Sequence, residues 1–433
     1  MSDSDPVFDV VIIGAGPAGI AAACCAAESG RRSIVLDEGL GPGGQIWRPN
    51  VKAPHVGAAA RWIARLAASS AVVKRSTSVF DVRRESAGDF LVSGEHEGNG
   101  FAVSGRTVVL ATGARERFLP FPGWTLPNVA GVGGAQALLK AGTSFAGKRV
   151  VIAGSGPLLL PVAASLSKAG AKLALVAEQA PANRVRGFAL SLWRKPATLM
   201  QAALLRGAFI GTRYATDTWV VSARGDTAVR EVTMGGDAGN RTFACDFLCV
   251  AFGLVPNVEL ARLIGCEVEH GEVTVDATQT TTVADVYCAG EPTGIGGVDL
   301  SIVEGQIAGL SAAKQPVPSG LVSRAATLRR EASAMNAAFA LRSELRTLAQ
   351  PDTIVCRCED VRLRDLDPRW SARQAKLYAR AGMGPCQGRI CGAALEVVMN
   401  WRADSVRPPV QPARLASFVT DVTVPPAIEH GAK

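Results

Sequence analysis

Short apolar runs that end in glycine recur along the chain and divide it into units. Val10 to Ile13 is four apolar residues long and meets Gly14-Ala15-Gly16-Pro17-Ala18-Gly19; the alanine-rich stretch Ile20 to Ala27 follows. A bounded apolar run of that length reads as a buried strand, and the small residues after it read as a helix. That helix is expected to stop near Ser29-Gly30, with a strand over 33–36. Residues 58–68 read as a helix with Trp62, Ile63 and Leu66 on one face. Residues 72–108 alternate around Gly and Asp turns, which predicts a small antiparallel insertion. An apolar strand over 107–110 runs into Ala111-Thr112-Gly113, and 115–121 reads as a linker. A second strand–glycine–helix unit starts at 148–153 with Gly154-Ser155-Gly156, and its next strand, 171–177, ends at Glu178. Residues 244–257 and 285–291 are further strands with glycine turns, and 299–313 is helical. Pro316 to Gly320 marks a boundary before a helical stretch over 323–348. The pattern is that of an α/β protein.

The two glycine loops carry the first chemistry. Gly14 allows the tight turn, Gly16 lets backbone approach a pyrophosphate, and Gly19 lets helix and strand pack closely. Pro17 suits a first helical turn, and with Ala18 it opens the helix end whose N–H groups face the phosphates. Asp37 lies 18 residues after Gly19, at the end of the second strand, where an acid accepts ribose hydroxyls; Glu38 is adjacent. In the downstream copy Gly154 and Gly156 are present, but Leu159 stands where the third glycine belongs. A large side chain there disturbs the pyrophosphate platform. NAD(H) binding, another nucleotide, or a scaffold without ligand all stay open for this unit. Glu178 favours NAD over NADP, because a carboxylate repels a 2′-phosphate.

Composition narrows the classes. The 433 residues suffice for about three domains. No apolar run of membrane length occurs, and Met1 to Phe8 resembles neither a secretory nor a transit signal. The net charge of +8 is spread along the chain, so it reads as solvated surface and not as a nucleic-acid footprint. Arg184, Arg186, Arg194, Lys195 and Arg206 read mainly as solvated too. Ten cysteines without a secretion signal point to a reducing, cytoplasmic setting. Cys245, Cys249 and Cys266 sit among apolar residues as inert core thiols. No C-x-x-C occurs, which excludes a flavin–disulfide relay, and the four histidines are unpaired. No acid–base apparatus for substrate oxidation is legible.

Cys356 and Cys358 form one close pair, Cys386 and Cys391 another, with 27 residues between Cys358 and Cys386. Four thiolates select zinc or an iron–sulfur cluster. Arg357, Arg389 and helix N-termini expected after each pair offset their charge. An iron–sulfur cluster, structural zinc and free thiols are the three readings. A helix over 395–401 is expected as the apolar lid, and the tail beyond Arg407 carries no legible chemistry.

The segment Gly41-Pro42-Gly43-Gly44-Gln45, the ATG element at Ala111-Thr112-Gly113 and the acid after Gly290 resemble the two-dinucleotide flavoprotein oxidoreductases. The resemblance implies FAD in the first unit, with contacts from Gly43, Gly44, Gln45, Ala111, Thr112, Gly113, Gly290, Glu291, Gly297 and Val298. Glu291 replaces the aspartate usual there, an extra methylene of roughly 1.5 Å. The resemblance further implies an FAD-binding domain at 1–120 and 245–320, an inserted NAD(P)-type Rossmann-like domain at 121–244, and a C-terminal region at 321–433. Within the last, 353–403 resembles the bacterioferritin-associated-ferredoxin-like [2Fe-2S] domain, though it closes with C-x4-C where that family usually has C-x2-C. The C-x4-C version is similar to that in the α subunits of opine oxidase, hydroxyproline dehydrogenase and hydrogen cyanide synthase, and in the related part of heterotetrameric sarcosine oxidase.

By this resemblance the chain is an FAD- and [2Fe-2S]-containing electron-transfer subunit of an amine or amino-acid dehydrogenase. The implied partner is an FAD subunit that oxidises the secondary amine; a further small subunit, the electron acceptor and peripheral attachment to the inner membrane through the complex are open. The alternative is an NAD(P)H-dependent flavin–iron–sulfur reductase passing electrons to a protein or quinone.

Overall fold

Two parallel sheets, each centred on a glycine-loop strand, organise the molecule; the computed structural model describes residues 7–48, 54–237, 239–402 and 405–419. In the first sheet Phe8–Ile13 lies between Ser33–Leu36 and Asn99–Leu110, with Val72–Lys74 at one edge and Val286–Cys288 beside Asn99–Leu110. All these contacts are parallel. The first half of Asn99–Leu110 also pairs antiparallel with Phe90–His96, which pairs with Thr77–Arg84. The expectation of an antiparallel insertion over 72–108 is therefore corrected: Val72–Lys74 belongs to the parallel sheet, and one long strand serves both layers. Gly105 pairs with Phe8 and Phe90 where the layers meet, and a Cβ there would lie 2.4 Å from Val11 Cγ2.

The helix Pro17–Glu28 is buried from Ala18 to Ala27, as its small side chains allow. It packs against Gly297–Ala312, where a Cβ on Gly305 would come 2.2 Å from the Ala18 carbonyl and one on Gly309 2.4 Å from that of Ala22. Two glycines one turn apart thus let the backbones touch. This contact joins residues some 280 positions apart in a single layer over the first sheet.

The second sheet runs Tyr214–Ala215, Lys172–Glu178, Arg149–Gly154, Phe247–Ala251, Val129–Gly131, again all parallel. Phe247–Ala251 is its fourth strand, so this unit reaches past the expected limit at residue 244. A three-stranded antiparallel layer of Thr218–Arg224, Glu231–Gly236 and Arg241–Ala244 flanks it. The expected linker at 115–121 includes part of a strand: Ala114–Glu116 pairs antiparallel with Leu254–Pro256, so the outgoing and returning crossovers run side by side.

Beyond it, Ser319–Ala338 is one helix packed on Gly297–Ala312 through Ala325 and Leu328, so the helical region starts earlier and ends earlier than 323–348. A 3-10 turn Ser343–Thr347, the hairpin Ile354–Cys356 with Val361–Arg362, and the helices Ala372–Ala379 and Cys391–Met399 complete the cysteine region. Its core joins Val355, Cys356, Cys391, Leu395 and Trp401. Only the second cysteine pair is followed by a helix; the first lies in the hairpin turn, which corrects the expectation of a helix after each. Residues 405–419 return to the first unit, where Val410 N donates to Phe80 O and Arg414 and Ser417 meet Glu95. Residues 1–6 and 420–433, and with them His430, lie outside the described residues. Among the described residues no helix is long and apolar enough to cross a membrane.

Candidate cofactor sites and the cysteine cavity

The first glycine loop behaves as its spacing requires. Gly14 has φ +106°, and a Cβ there would meet the Ala111 carbonyl at 2.2 Å; one on Gly19 would meet that of Gly14 at 1.8 Å. A Cβ on Gly16 meets nothing within 4 Å, so that side of the loop is open. The helix behind it starts at Pro17 with no side-chain cap and no acid in its first turn. Its N–H groups and positive end are thus free for an anion. Asp37 Oδ2 accepts the Ala15 N–H at 2.6 Å and Oδ1 that of Gly39 at 2.8 Å, while Glu38 is exposed at the sheet end. Gly43 N donates to Ala15 O at 2.7 Å, which lays the Gly43-Gly44 turn across the loop, and a Cβ on Gly44 would touch Gly16 Cα at 3.0 Å. Gln45 is exposed and accepts from Arg48.

The strand ends beside it complete a crevice at the carboxyl edge of the sheet, where such folds take ligands. Ala111 N donates to Ile13 O, and Gly113 has φ +67°. Glu291 Oε1 accepts the Gly297 N–H at 3.0 Å, whereas Oε2 is buried with no partner. Burial pushes the Glu291 carboxyl up to about 7. Val298 follows Gly297 in the first turn of its helix. Glu304, which sequence reading passed over, is buried below this point. It accepts from Gly290 N at 2.9 Å, Thr293 Oγ1 at 3.0 Å and Arg329 Nε at 2.9 Å. A lone acid in the apolar stretch Leu300–Leu310 was its only sequence signal.

The second glycine loop differs in three ways. Its helix, Leu159–Lys168, begins five residues after Gly154, where Pro17 begins three after Gly14. Leu159 is fully buried with Val150, Ile152 and Val162, so it has found an apolar pocket and the intervening residues form a turn. Glu178 is also fully buried: Oε2 accepts from Gly156 N and Oε1 from Ala180 N, both at 2.8 Å. Burial raises its carboxyl to about 7. Finally, residues 339–342 lie against the loop: Ser155 Oγ donates to Phe339 O at 2.7 Å, Gln179 Nε2 to Ala340 O at 3.1 Å, and Arg342 N to Gln179 Oε1 at 3.0 Å.

Cys356, Cys358, Cys386 and Cys391 line one cavity of 350 Å³ together with Glu116, Phe118, Trp124 and Ile390. The Cys391 thiol and, against the effect of burial, the Gly382 N–H hold the Cys356 thiol below its ordinary range, and the same bond together with burial pushes Cys391 upward. Cys358 packs on Gly384, where a Cβ would come within 2.3 Å of its own. No three His, Cys, Asp or Glu side chains among the described residues converge on one metal-ion position. Glu116 accepts from Gly133 N at 2.7 Å and Gly134 N at 3.0 Å, and burial raises its carboxyl. The other cysteines, Cys24, Cys25, Cys245, Cys249, Cys266 and Cys288, are buried singly or side by side in the cores.

Residues 8–315 match the family described as pyridine nucleotide-disulphide oxidoreductase. The chain belongs to that family. It is accordingly an oxidoreductase and a flavoprotein. It is 31% identical to the A-subunit of opine oxidase from Agrobacterium tumefaciens, over 96% of this chain and 92% of that one. It is also 31% identical to hydrogen cyanide synthase subunit HcnB of Pseudomonas protegens, over 88% and 89%. Among solved structures, L-proline dehydrogenase from P. horikoshii superposes with a TM-score of 0.67 at 20% identity, covering 96% of this chain and 80% of that one. Thioredoxin reductase of T. acidophilum gives 0.57 at 22% identity, covering 71% of this chain and 98% of that one. These last two likenesses are of fold. The sequence carries no C-x-x-C.

Proposed function

We propose that the chain is the flavin- and iron–sulfur-carrying electron-transfer subunit of a heteromeric dehydrogenase that acts on a secondary amine or amino acid. The observation that carries the reading is the cavity lined by all four C-terminal cysteines in a chain similar, over most of its length, to subunits of an opine oxidase and a hydrogen cyanide synthase. FAD fits the first unit. The open side of Gly16 and the uncapped helix end suit its pyrophosphate, Asp37 its ribose, and the unpartnered Glu291 Oε2 a hydroxyl of its ribityl chain. Four soft ligands facing one space suit a [2Fe-2S] cluster or a zinc ion, and beside a flavin the cluster adds the single-electron chemistry that zinc lacks. Flavin chemistry handles electron pairs and cluster chemistry single electrons, so the two together suit a relay. The protein's own part is to hold the flavin by Asp37 and Glu291 and to bury Cys356 and Cys391 away from water.

Purification of the chain alone is expected to give bound FAD and a [2Fe-2S] spectrum but no oxidation of proline, hydroxyproline, sarcosine or opines. Turnover is expected only on adding the amine-oxidising subunit. Full turnover by the pure chain overturns the reading.

The second reading is an NAD(P)H-dependent reductase, favoured by the second parallel sheet and its glycine loop. Against it stand the complete burial of Glu178 and the contacts of residues 339–342. Anaerobic NADH is expected to leave the flavin oxidised; rapid bleaching would select this reading instead.

A further inference from the structure

A half-buried polar chain connects the first glycine-loop unit to the cysteine cavity, and Arg115 is its centre. Arg115 lies on the crossover strand Ala114–Glu116 and presents its guanidinium to three acceptors on two separate segments. Nε donates to the Arg389 carbonyl at 3.0 Å, between Cys386 and Cys391. One terminal nitrogen donates to Asn257 Oδ1 at 2.6 Å, and the other lies 2.8 Å from Glu259 Oε1. Asn257 continues the chain to the flavin side. Its Nδ2 donates to Thr112 O at 2.8 Å, its backbone N to Gly113 O at 3.0 Å, and Thr112 Oγ1 donates back to Asn257 O at 2.6 Å. Thr112 and Gly113 follow the strand hydrogen-bonded to the first glycine-loop strand.

We propose that Arg115 is a positioning residue: it clamps the Cys386–Cys391 loop to the end of the flavin strand, so that flavin and cluster exchange electrons directly within this chain. The proposal rests on the cofactor assignment above. Its physical basis is the planar fork, whose fixed donors meet three acceptors in three directions at once; the point charge of a lysine does not reproduce that. Glu259, which faces Arg115 through Oε1, already has its Oε2 buried without a partner. Removing Arg115 would strand Glu259 Oε1 and the Arg389 carbonyl as well. The loop itself, residues 380–390, is built of turns and has no ladder to hold it. In the electron step the reduced flavin loses one electron and the oxidised cluster gains it. No bond in the chain forms or breaks, and the flavin's protons leave to solvent. The second electron follows once a one-electron acceptor, a quinone or redox protein, has reoxidised the cluster.

The test uses the full chain with Arg115→Met, Arg115→Lys and Asn257→Ala. Flavin and iron contents are measured first, then flash photoreduction of the flavin with the cluster followed by its absorbance. All three variants are expected to keep flavin and iron while transfer slows at least tenfold, with lysine giving no rescue. A transfer rate within twofold of the parent in Arg115→Met overturns the clamp. Should that variant lose iron, Asn257→Ala decides, since it leaves the bond to the Arg389 carbonyl in place; parental transfer there overturns the proposal. Amide hydrogen exchange across 386–391 is the second readout and needs no cofactor. Exchange at least tenfold faster in Arg115→Met is expected, and unchanged protection refutes the clamp. A parent chain without iron or flavin rejects the cofactor assignment, while the exchange result still judges the clamp by itself.

Discussion

Asp37 and Glu178 end equivalent strands and bond amides of their glycine loops one position apart, yet one methylene and a difference in burial give them different characters. Asp37 stays partly exposed beside an open loop, whereas Glu178 is enclosed. Burial raises Glu178 to about 7 although two N–H groups favour its charged form, so desolvation outweighs both bonds. A carboxyl raised in the folded state binds its proton more tightly there than in the unfolded chain. Its contribution to stability is therefore complete below the unfolded value and is lost as pH rises through about 7. The apoprotein is expected to lose stability between pH 5 and pH 8, and Glu178→Gln to flatten that slope by up to about 3 kcal/mol. Denaturant unfolding of both proteins at several pH values measures it, and equal slopes would refute the assignment. Glu178 was legible as a strand-end acid; its enclosure was not, because the covering residues 339–342 come some 160 positions later.

At the scale of elements, glycines separate close packing from local looseness. Gly305 and Gly309 permit the backbone contact of Gly297–Ala312 with Pro17–Glu28, the layer behind the first glycine loop. Gly309→Ala puts a methyl 2.4 Å from the Ala22 carbonyl, which backbone cannot yield cheaply. It is expected to cost about 1–3 kcal/mol by overpacking, and to weaken flavin retention through the displaced helix. Gly187, in the exposed helix Ala182–Ser191, has nothing within 4 Å of an added Cβ. Gly187→Ala is expected to stabilise by about 0.5–1 kcal/mol with flavin content unchanged. Thermal melts of the two variants should therefore move in opposite directions; movement in the same direction would contradict the packing argument. The late start of Leu159–Lys168 belongs to this scale too. The missing third glycine was visible in the sequence, but that Leu159 would enter a core pocket with Val150 and Val162 depended on the helix shifting to admit it.

For the whole molecule, the Ala114–Glu116 and Leu254–Pro256 pair is the junction where the two sheet units and the cysteine region meet. Trp124 Nε1 donates to Ile354 O at 2.6 Å, so the cysteine hairpin also rests on the second unit. The cavity is thus walled on one side by residues 116–134 and on the other by four cysteines. Cys386→Ser is expected to lose at least half of the iron while retaining its flavin, as the two sites share no side chain. Iron and flavin assays of the purified variant decide this, and full iron content would remove Cys386 from the ligand set.

Local chemistry was enough to determine the glycine loop at Gly14 to Gly19, the strands around it, the strand-end acids and the two cysteine pairs. Each depends on neighbours in the chain: apolar runs bury, glycines turn, and thiols cluster by spacing. Tertiary structure decided what distance in sequence conceals. It placed Glu304 and Arg329 beneath Gly290, brought residues 339–342 onto the second loop, gave Asn99–Leu110 to two layers, and gathered Thr112, Asn257, Arg115 and Arg389 into one hydrogen-bonded chain. Hydrogen bonds and close contacts between remote segments depend on how the sheets and crossovers pack, and no local pattern encodes that geometry.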